Sequence, residues 1–136
     1  AEQKAFGIYK ATGPASELSM AEMLYGIRAV TSAPVKFTWV PADFLATQNV
    51  RGWSNMPVWV PPRPESAGFS AVSIARALEK GLTFRPLAVT AKDTIEWHKQ
   101  RPEAARTRQQ THPNAPGLRP EREQAVLAAW KAKTST

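Results

Sequence analysis

Apolar residues recur at helical spacing in four places along the chain and alternate at strand spacing in three others. The clearest helical stripe is Met20, Met23, Leu24, Ile27 and then Val30 or Thr31, which predicts a helix over 19–32. Ser19 followed three residues later by Glu22 is a capping box, and Leu18 with Met23 occupies the hydrophobic-staple positions. A second helix is predicted within "FSAVSIARALEKG", with Ser70 as cap, a stripe of Ala71, Ile74, Ala75 and Leu78, and Gly81 as the stop just past its end. A third starts at Thr90 with Asp93 at its third position, places Ala91, Thr94, Ile95 and His98 on one face with Trp97 beside them, and ends at "RP" 101–102. Near the end, Pro120 opens a helix whose inner face is Val126, Ala129, Trp130 and Lys133. "PADFLAT" reads as a short additional helix beginning at Pro41.

Strand-like alternation is found in "FGIYKAT" at 6–12, "VKFTWV" at 35–40 and "LTFRP" at 82–86. The first has Phe6 and Ile8 on one face and Tyr9 on the other, and Gly13-Pro14 stops it. Such a strand needs a neighbour, because an unpaired edge leaves its backbone donors and acceptors unsatisfied. Between 48 and 68 runs "QNVRGWSNMPVWVPPRPESAG", where Pro57, Pro61, Pro62 and Pro64 exclude a central strand and favour an extended loop. Large apolar residues on such a loop either cap a core or line a pocket; both readings stay open for Met56 and Trp59, while Trp53 reads as packing. Residues 103–117 are polar and read as a linker.

Composition narrows the chemistry. At 136 residues with 43% hydrophobic content the chain has enough apolar material for one domain. It contains no cysteine, which excludes disulfides, thiolate metal sites and a cysteine nucleophile. No apolar run reaches the roughly 20 residues that span a bilayer, the opening "AEQKAFGIYK" has no secretory pattern, and the composition fits a cytoplasmic location. The net charge of +7 is concentrated at one end: residues 99–136 hold eight Lys or Arg against three Glu. A basic tail of this kind suits an anionic partner or nucleic acid. It has no interleaved aromatic residues for base stacking, so a solvated face is the plainer reading and nucleic acid is not the expected partner.

No self-sufficient catalytic set is present. The seven glycines, at 7, 13, 26, 52, 68, 81 and 117, have no phosphate-loop spacing. His98 and His112 lack carboxylates at ligand spacing, so neither a metal site nor a catalytic residue is assigned, and His98 reads as a packed or hydrogen-bonded residue. Glu121 and Glu123, two residues apart, point to different helix faces.

The pieces "GIYKATGP" (7–14), "SMAEMLYGIRAV" (19–30), "VKFTWV" (35–40), "VPPRPESAGF" (60–69), "VSIARALEKGLTFRP" (72–86) and "TAKDTIEW" (90–97), in this order, resemble the C-terminal part of the extended short-chain dehydrogenases/reductases, the NAD-dependent epimerase/dehydratase family. The resemblance covers about residues 6–102 and rests most heavily on "ALEKGLTFRPL" and "TAKDTIEW". It implies an α+β substrate-binding lobe of a Rossmann-type enzyme, with about four main helices and short strands. Residues 1–14 would hold the last strand region of the nucleotide-binding sheet, 15–102 the lobe, 103–118 a polar linker and 119–136 a C-terminal helix. It further implies that NAD or NADP belongs to the parent enzyme and that this chain alone binds no cofactor. The family's glycine fingerprint and its Tyr-x-x-x-Lys pair are not found: Tyr9 is followed four residues later by Gly13, and Tyr25 by Ala29. The chain therefore reads as a fragment or separately made lobe, without a catalytic residue, whose partner is a missing N-terminal nucleotide-binding half. By resemblance, Met56, Trp59, Arg63, Phe69 and Arg76 would contact a small-molecule substrate, with Arg63 of "PPRPES" at the position where sugar-nucleotide enzymes hold substrate phosphate. There the family's Arg-Pro-Gly-Asp is Arg-Pro-Glu-Ser, and a solvated Arg63 is an equal reading. Arg76 reads equally as a helix-surface residue and Arg85 as structural. The implied function is substrate binding for an NAD(P)-dependent epimerase, dehydratase or reductase acting on a carbonyl or alcohol; the alternative is a small basic module for nucleic acid or another anionic partner.

Overall fold

The structure, a computed structural model, describes residues 6–112 and 115–135. Six α-helices follow one another among these residues: α1 (Met20–Arg28), α2 (Ala42–Thr47), α3 (Ala75–Glu79), α4 (Leu87–Gln100), α5 (Glu103–Thr111) and α6 (Pro120–Thr134), with a single 3-10 turn at Pro64–Ser66. They belong to two units, Ala1–Val35 with Gly68–Arg101 and Lys36–Ala67 with Pro102–Thr136. Both units are discontinuous in sequence, with boundaries between 35 and 36, between 67 and 68, and between 101 and 102.

The expected α+β fold is not found. Among the described residues β pairing is confined to one isolated bridge, between Gly52 and Met56. The segments 6–12, 35–40 and 82–86 are irregular single stretches. Alternating apolar residues make an extended chain compatible with a sheet, but a strand exists only when a second backbone supplies the ladder. Among the described residues no such neighbour lies beside these three segments, so the short strands of a Rossmann-type lobe are not found there.

In the first unit α1 begins at the capping box that its sequence encodes. Ser19 N donates to Glu22 Oε2 at 2.8 Å, and Glu22 N donates to Ser19 Oγ at 3.2 Å. Helix α3 is shorter than its stripe suggests, beginning after Ile74 rather than at Ser70, and the methyl it buries is that of Ala77, outside the expected stripe. Its end is as expected. Gly81, at φ 88°, donates from its N–H to Leu78 O at 2.9 Å, and Leu82 N–H reaches Ala77 O at 3.0 Å, a Schellman closure. Helix α4 starts one turn earlier than expected, after Pro86, so Thr90 lies inside the helix and does not cap it. Pro86 at the N-cap costs no helical hydrogen bond, which lets the helix extend back to it. Helices α1 and α4 pack on each other, and Gly26 marks the approach: a Cβ there would lie 2.8 Å from Leu87 Cδ2.

The second unit holds the better-packed core. Phe44, Leu45 and Val50 from α2 and its exit meet Val126 of α6, with Val40, Trp59, Leu118, Ala129 and Trp130 packed around them. Helix α2 also ends in a Schellman closure, with Asn49 in the left-handed position at φ 54°. Asn49 N–H reaches Ala46 O and Val50 N–H reaches Leu45 O, both at 2.9 Å. The closure turns Val50 back onto the core, where it is buried beside Leu45. Helix α6 matches its expectation: Pro120 opens it, and Val126, Ala129 and Trp130 face inward. The segment expected as a polar linker carries α5, begun after Pro102 with Glu103 in its first turn. An acidic first turn favours a helix N-terminus, and a polar composition without glycine over 103–111 is compatible with an exposed helix.

Burial is thin. No described side chain is less than 2% exposed, and in the first unit the buried residues are two alanines, Ala77 and Ala91. The chain exposes 11144 Å². Two separate compact bodies, each about half of 15.0 kDa, would together expose about 8,500 Å².

Candidate functional site

The Pro-rich loop is held by its own backbone. Arg51 N–H donates to Asn55 Oδ1 at 2.9 Å, while Asn55 and Met56 N–H groups both return to Arg51 O at 3.1 Å. Trp53 N–H is shared between Met56 O and Trp59 O, each at 3.0 Å. This tight winding carries Trp53 at φ 66° and Val58 at φ 68°, both in the left-handed region that side chains seldom occupy. Gly52 has the space such a turn demands: a Cβ there would stand 2.5 Å from Pro61 Cδ and 2.8 Å from Trp59 O. Downstream, Ser66 Oγ donates to Pro61 O at 2.8 Å and pins the 3-10 turn.

Three of the five expected substrate contacts lie on this loop. Trp59 packs against the second unit's core, and Met56 is exposed. Arg63 is exposed and stands 3.9 Å from Glu65, an open surface pair of little energetic weight. The other two belong to the first unit. Phe69 is exposed, and Arg76 on α3 lies over the ring of Tyr9, 5.5 Å from its centroid. Arg76 is thus a surface residue stacked on its own chain. Trp53, read from sequence as packing, is 62% exposed.

The remaining charges are tied locally. Arg85 Nη1 meets Asp93 Oδ2 at 2.6 Å, an ion pair on the exposed surface of the first unit. Lys99 reaches Glu96 at 2.8 Å, Arg101 lies over Trp97 at 5.1 Å, and Lys133 lies over Phe44 at 5.3 Å. Arg122 donates to Gln48 O, the carbonyl at the C-terminal end of α2, where a cation complements the helix dipole. Glu22 has a displaced titration. The Ser19 hydroxyl, and secondarily the Ser19 backbone N–H, hold its carboxyl below the usual range.

Among the described residues no cluster of His, Asp and Glu is arranged to hold a metal ion. No described helix is long and apolar enough to cross a membrane. Comparison with family models, with curated proteins and with solved structures returned no match.

Proposed function

We propose that these residues form the substrate-binding portion of an NAD(P)-dependent epimerase, dehydratase or reductase acting on a carbonyl or alcohol, and that the cofactor and the catalytic acid–base pair are supplied by polypeptide outside the 136 residues. The observation that carries this reading is the first unit's uncovered apolar surface. Phe6 and Ile8 are 86% and 90% exposed, and the α1 stripe of Met20, Met23, Leu24 and Ile27 is only partly covered. Burying a side chain of this size stabilises by about 1.5–3 kcal/mol. A unit that leaves so many outside while burying two alanines is suited to a second surface. The ordered pieces from "GIYKATGP" to "TAKDTIEW" support assigning that surface to a nucleotide-binding half. The loop carrying Met56, Trp59 and Arg63, with Phe69 and Arg76, would shape access for the substrate. The cysteine-free composition fits a cytoplasmic enzyme.

The reading is tested on two levels. The isolated chain neither binds NAD(P)H in calorimetry nor turns over, and it self-associates through the first unit or loses that unit's structure before the second unit's. Joined to the coding sequence that precedes Ala1, it binds NAD(P)H and becomes a cooperative unit. A stable, cooperatively folding 15.0 kDa monomer in native mass spectrometry, or nicotinamide binding by this chain alone, overturns the assignment.

The alternative of a basic binding module has less to stand on. Of the eight cations between 99 and 136, Lys99 is paired with Glu96, and Arg101 and Lys133 lie over the rings of Trp97 and Phe44.

A further inference from the structure

The second unit contains a cleft that the preceding reading does not use. One wall is the corner of the Pro-rich loop, Trp53 to Asn55; the other is the entry to α6, from Ala115 to Arg119, with Arg122 one turn further on. Its volume is about 520 Å³, within the range of small-molecule sites. The two walls are joined by backbone: Gly117 N–H donates to Ser54 O at 3.0 Å across more than sixty residues of sequence. Gly117 takes φ 99° to make that turn. The cleft is thus a built feature of the unit.

Its chemistry is one-sided. Among the described residues Arg119 and Arg122 line it and no carboxylate does; the first-turn residues Glu121 and Glu123 are not among its walls. Each guanidinium is anchored to a backbone carbonyl, Arg119 to His112 O and Arg122 to Gln48 O. An anchored guanidinium loses less freedom when it binds an anion, and its planar fork matches a carboxylate or phosphate. Trp53 presents a largely exposed indole at the same opening, its backbone held in the left-handed region at φ 66°. An exposed indole beside two cations suits a flat apolar ring carrying negative charge.

We infer that this cleft binds a small organic anion, a carboxylate or phosphate ester attached to a planar ring, with Arg119 and Arg122 taking the anion and Trp53 stacking on the ring. The inference does not depend on the oxidoreductase reading, because every wall lies within the second unit.

The full chain, labelled with ¹⁵N, is titrated separately with phenyl phosphate, benzoate, inorganic phosphate and benzyl alcohol, following the indole resonances and the backbone amide of Gly117, which lines the cleft and still reports binding when Trp53 is replaced. Trp53→Gly, which suits the positive φ, identifies the Trp53 signal. At least one of the two ring anions shifts that signal saturably, and the stronger of them names the anion preferred. Inorganic phosphate and benzyl alcohol bind more weakly, since each lacks one half of the recognition. Arg122→Gln weakens ring-anion binding by about tenfold or more, and Trp53→Gly narrows the gap between phenyl phosphate and inorganic phosphate. If Arg122→Gln does not fold, as judged by far-UV circular dichroism, the Trp53→Gly comparison decides. The inference is overturned if neither ring anion shifts Trp53 at millimolar concentration, or if affinity is unchanged in the folded variants.

Discussion

The rings of Phe44 and Trp130 meet at 5.0 Å between centroids with their planes inclined by 59°. They join α2 to α6 and so close the second unit's core between segments more than eighty residues apart in sequence. Tilted aromatic pairs at this distance add about 0.5–1.5 kcal/mol beyond the area they bury. Phe44→Ala removes the contact and most of the core's largest side chain, and is expected to cost about 3–5 kcal/mol. Urea unfolding followed by tryptophan emission measures it. Phe44→Leu, which keeps most of the volume, costs visibly less.

Asn49 holds the left-handed turn that sends Val50 into the core, at φ 54°. Asn49→Gly is expected to leave stability unchanged or raise it slightly. Asn49→Val, with a β-branched side chain in the same conformation, is expected to lose roughly 1–2 kcal/mol. The two thermal midpoints, measured side by side, separate backbone strain from any loss of side-chain contact.

Gly52 has no room for a methyl. The obstruction includes the Trp59 carbonyl, which is backbone and cannot swing away. Gly52→Ala is expected to destabilise the loop by about 1–3 kcal/mol. Limited proteolysis should then cut between residues 51 and 62 faster than in the parent chain.

The α1 capping box carries a pH dependence with a definite sign. The carboxyl of Glu22 is held below its usual range by the Ser19 hydroxyl and N–H. A lowered folded-state value means that the stabilisation is fully present above the unfolded-state value and is lost as pH falls through the folded-state one. Helical ellipticity from α1 is therefore expected to be flat through neutral pH and to fall under acid. In Ser19→Ala the acid transition moves upward toward the ordinary glutamate range, which a circular dichroism titration reads directly.

Arg85 and Asp93 form a short ion pair, yet their side chains are 61% and 57% exposed. Solvent screens such a pair, and Asp93→Asn is expected to change stability by less than about 1 kcal/mol, with the difference shrinking further in high salt. A large loss in chemical denaturation would show that α4 depends on this pair for more than its surface charge.

The helical half of the fold was legible where a local signal stood alone. Ser19 and Glu22 marked the start of α1, Gly81 the end of α3, and Pro120 with Val126, Ala129 and Trp130 the start and inner face of α6. These signals act within one or two turns and need nothing from the rest of the chain. The Asn49 closure was equally local but went unread, because asparagine in the left-handed region follows from helix α2 ending at Thr47, not from asparagine alone. Alternation at 6–12, 35–40 and 82–86 misled for the opposite reason: it describes what an extended segment could pair with, and the pairing partner is elsewhere or absent. The five residues assigned to a substrate were distributed between the two units, and the cleft lined by Trp53, Arg119 and Arg122 was invisible, since its walls are separated by the whole first-unit insertion.

Read alone, then, the order of amino acids determined where most helices begin and end, which of their faces are apolar, and that no cysteine chemistry or glycine-rich phosphate loop is available. Capping, helical periodicity and backbone preference are all settled by neighbours a few residues away. The tertiary structure decided that no sheet forms among the described residues, that described residues of 36–67 and 102–135 share one core while those of the first unit bury little more than alanine methyls, and that two arginines line the same cleft as Trp53. Those outcomes depend on which distant segments meet, and the free energy of such meetings lies in buried area and backbone pairing that no short stretch of sequence contains.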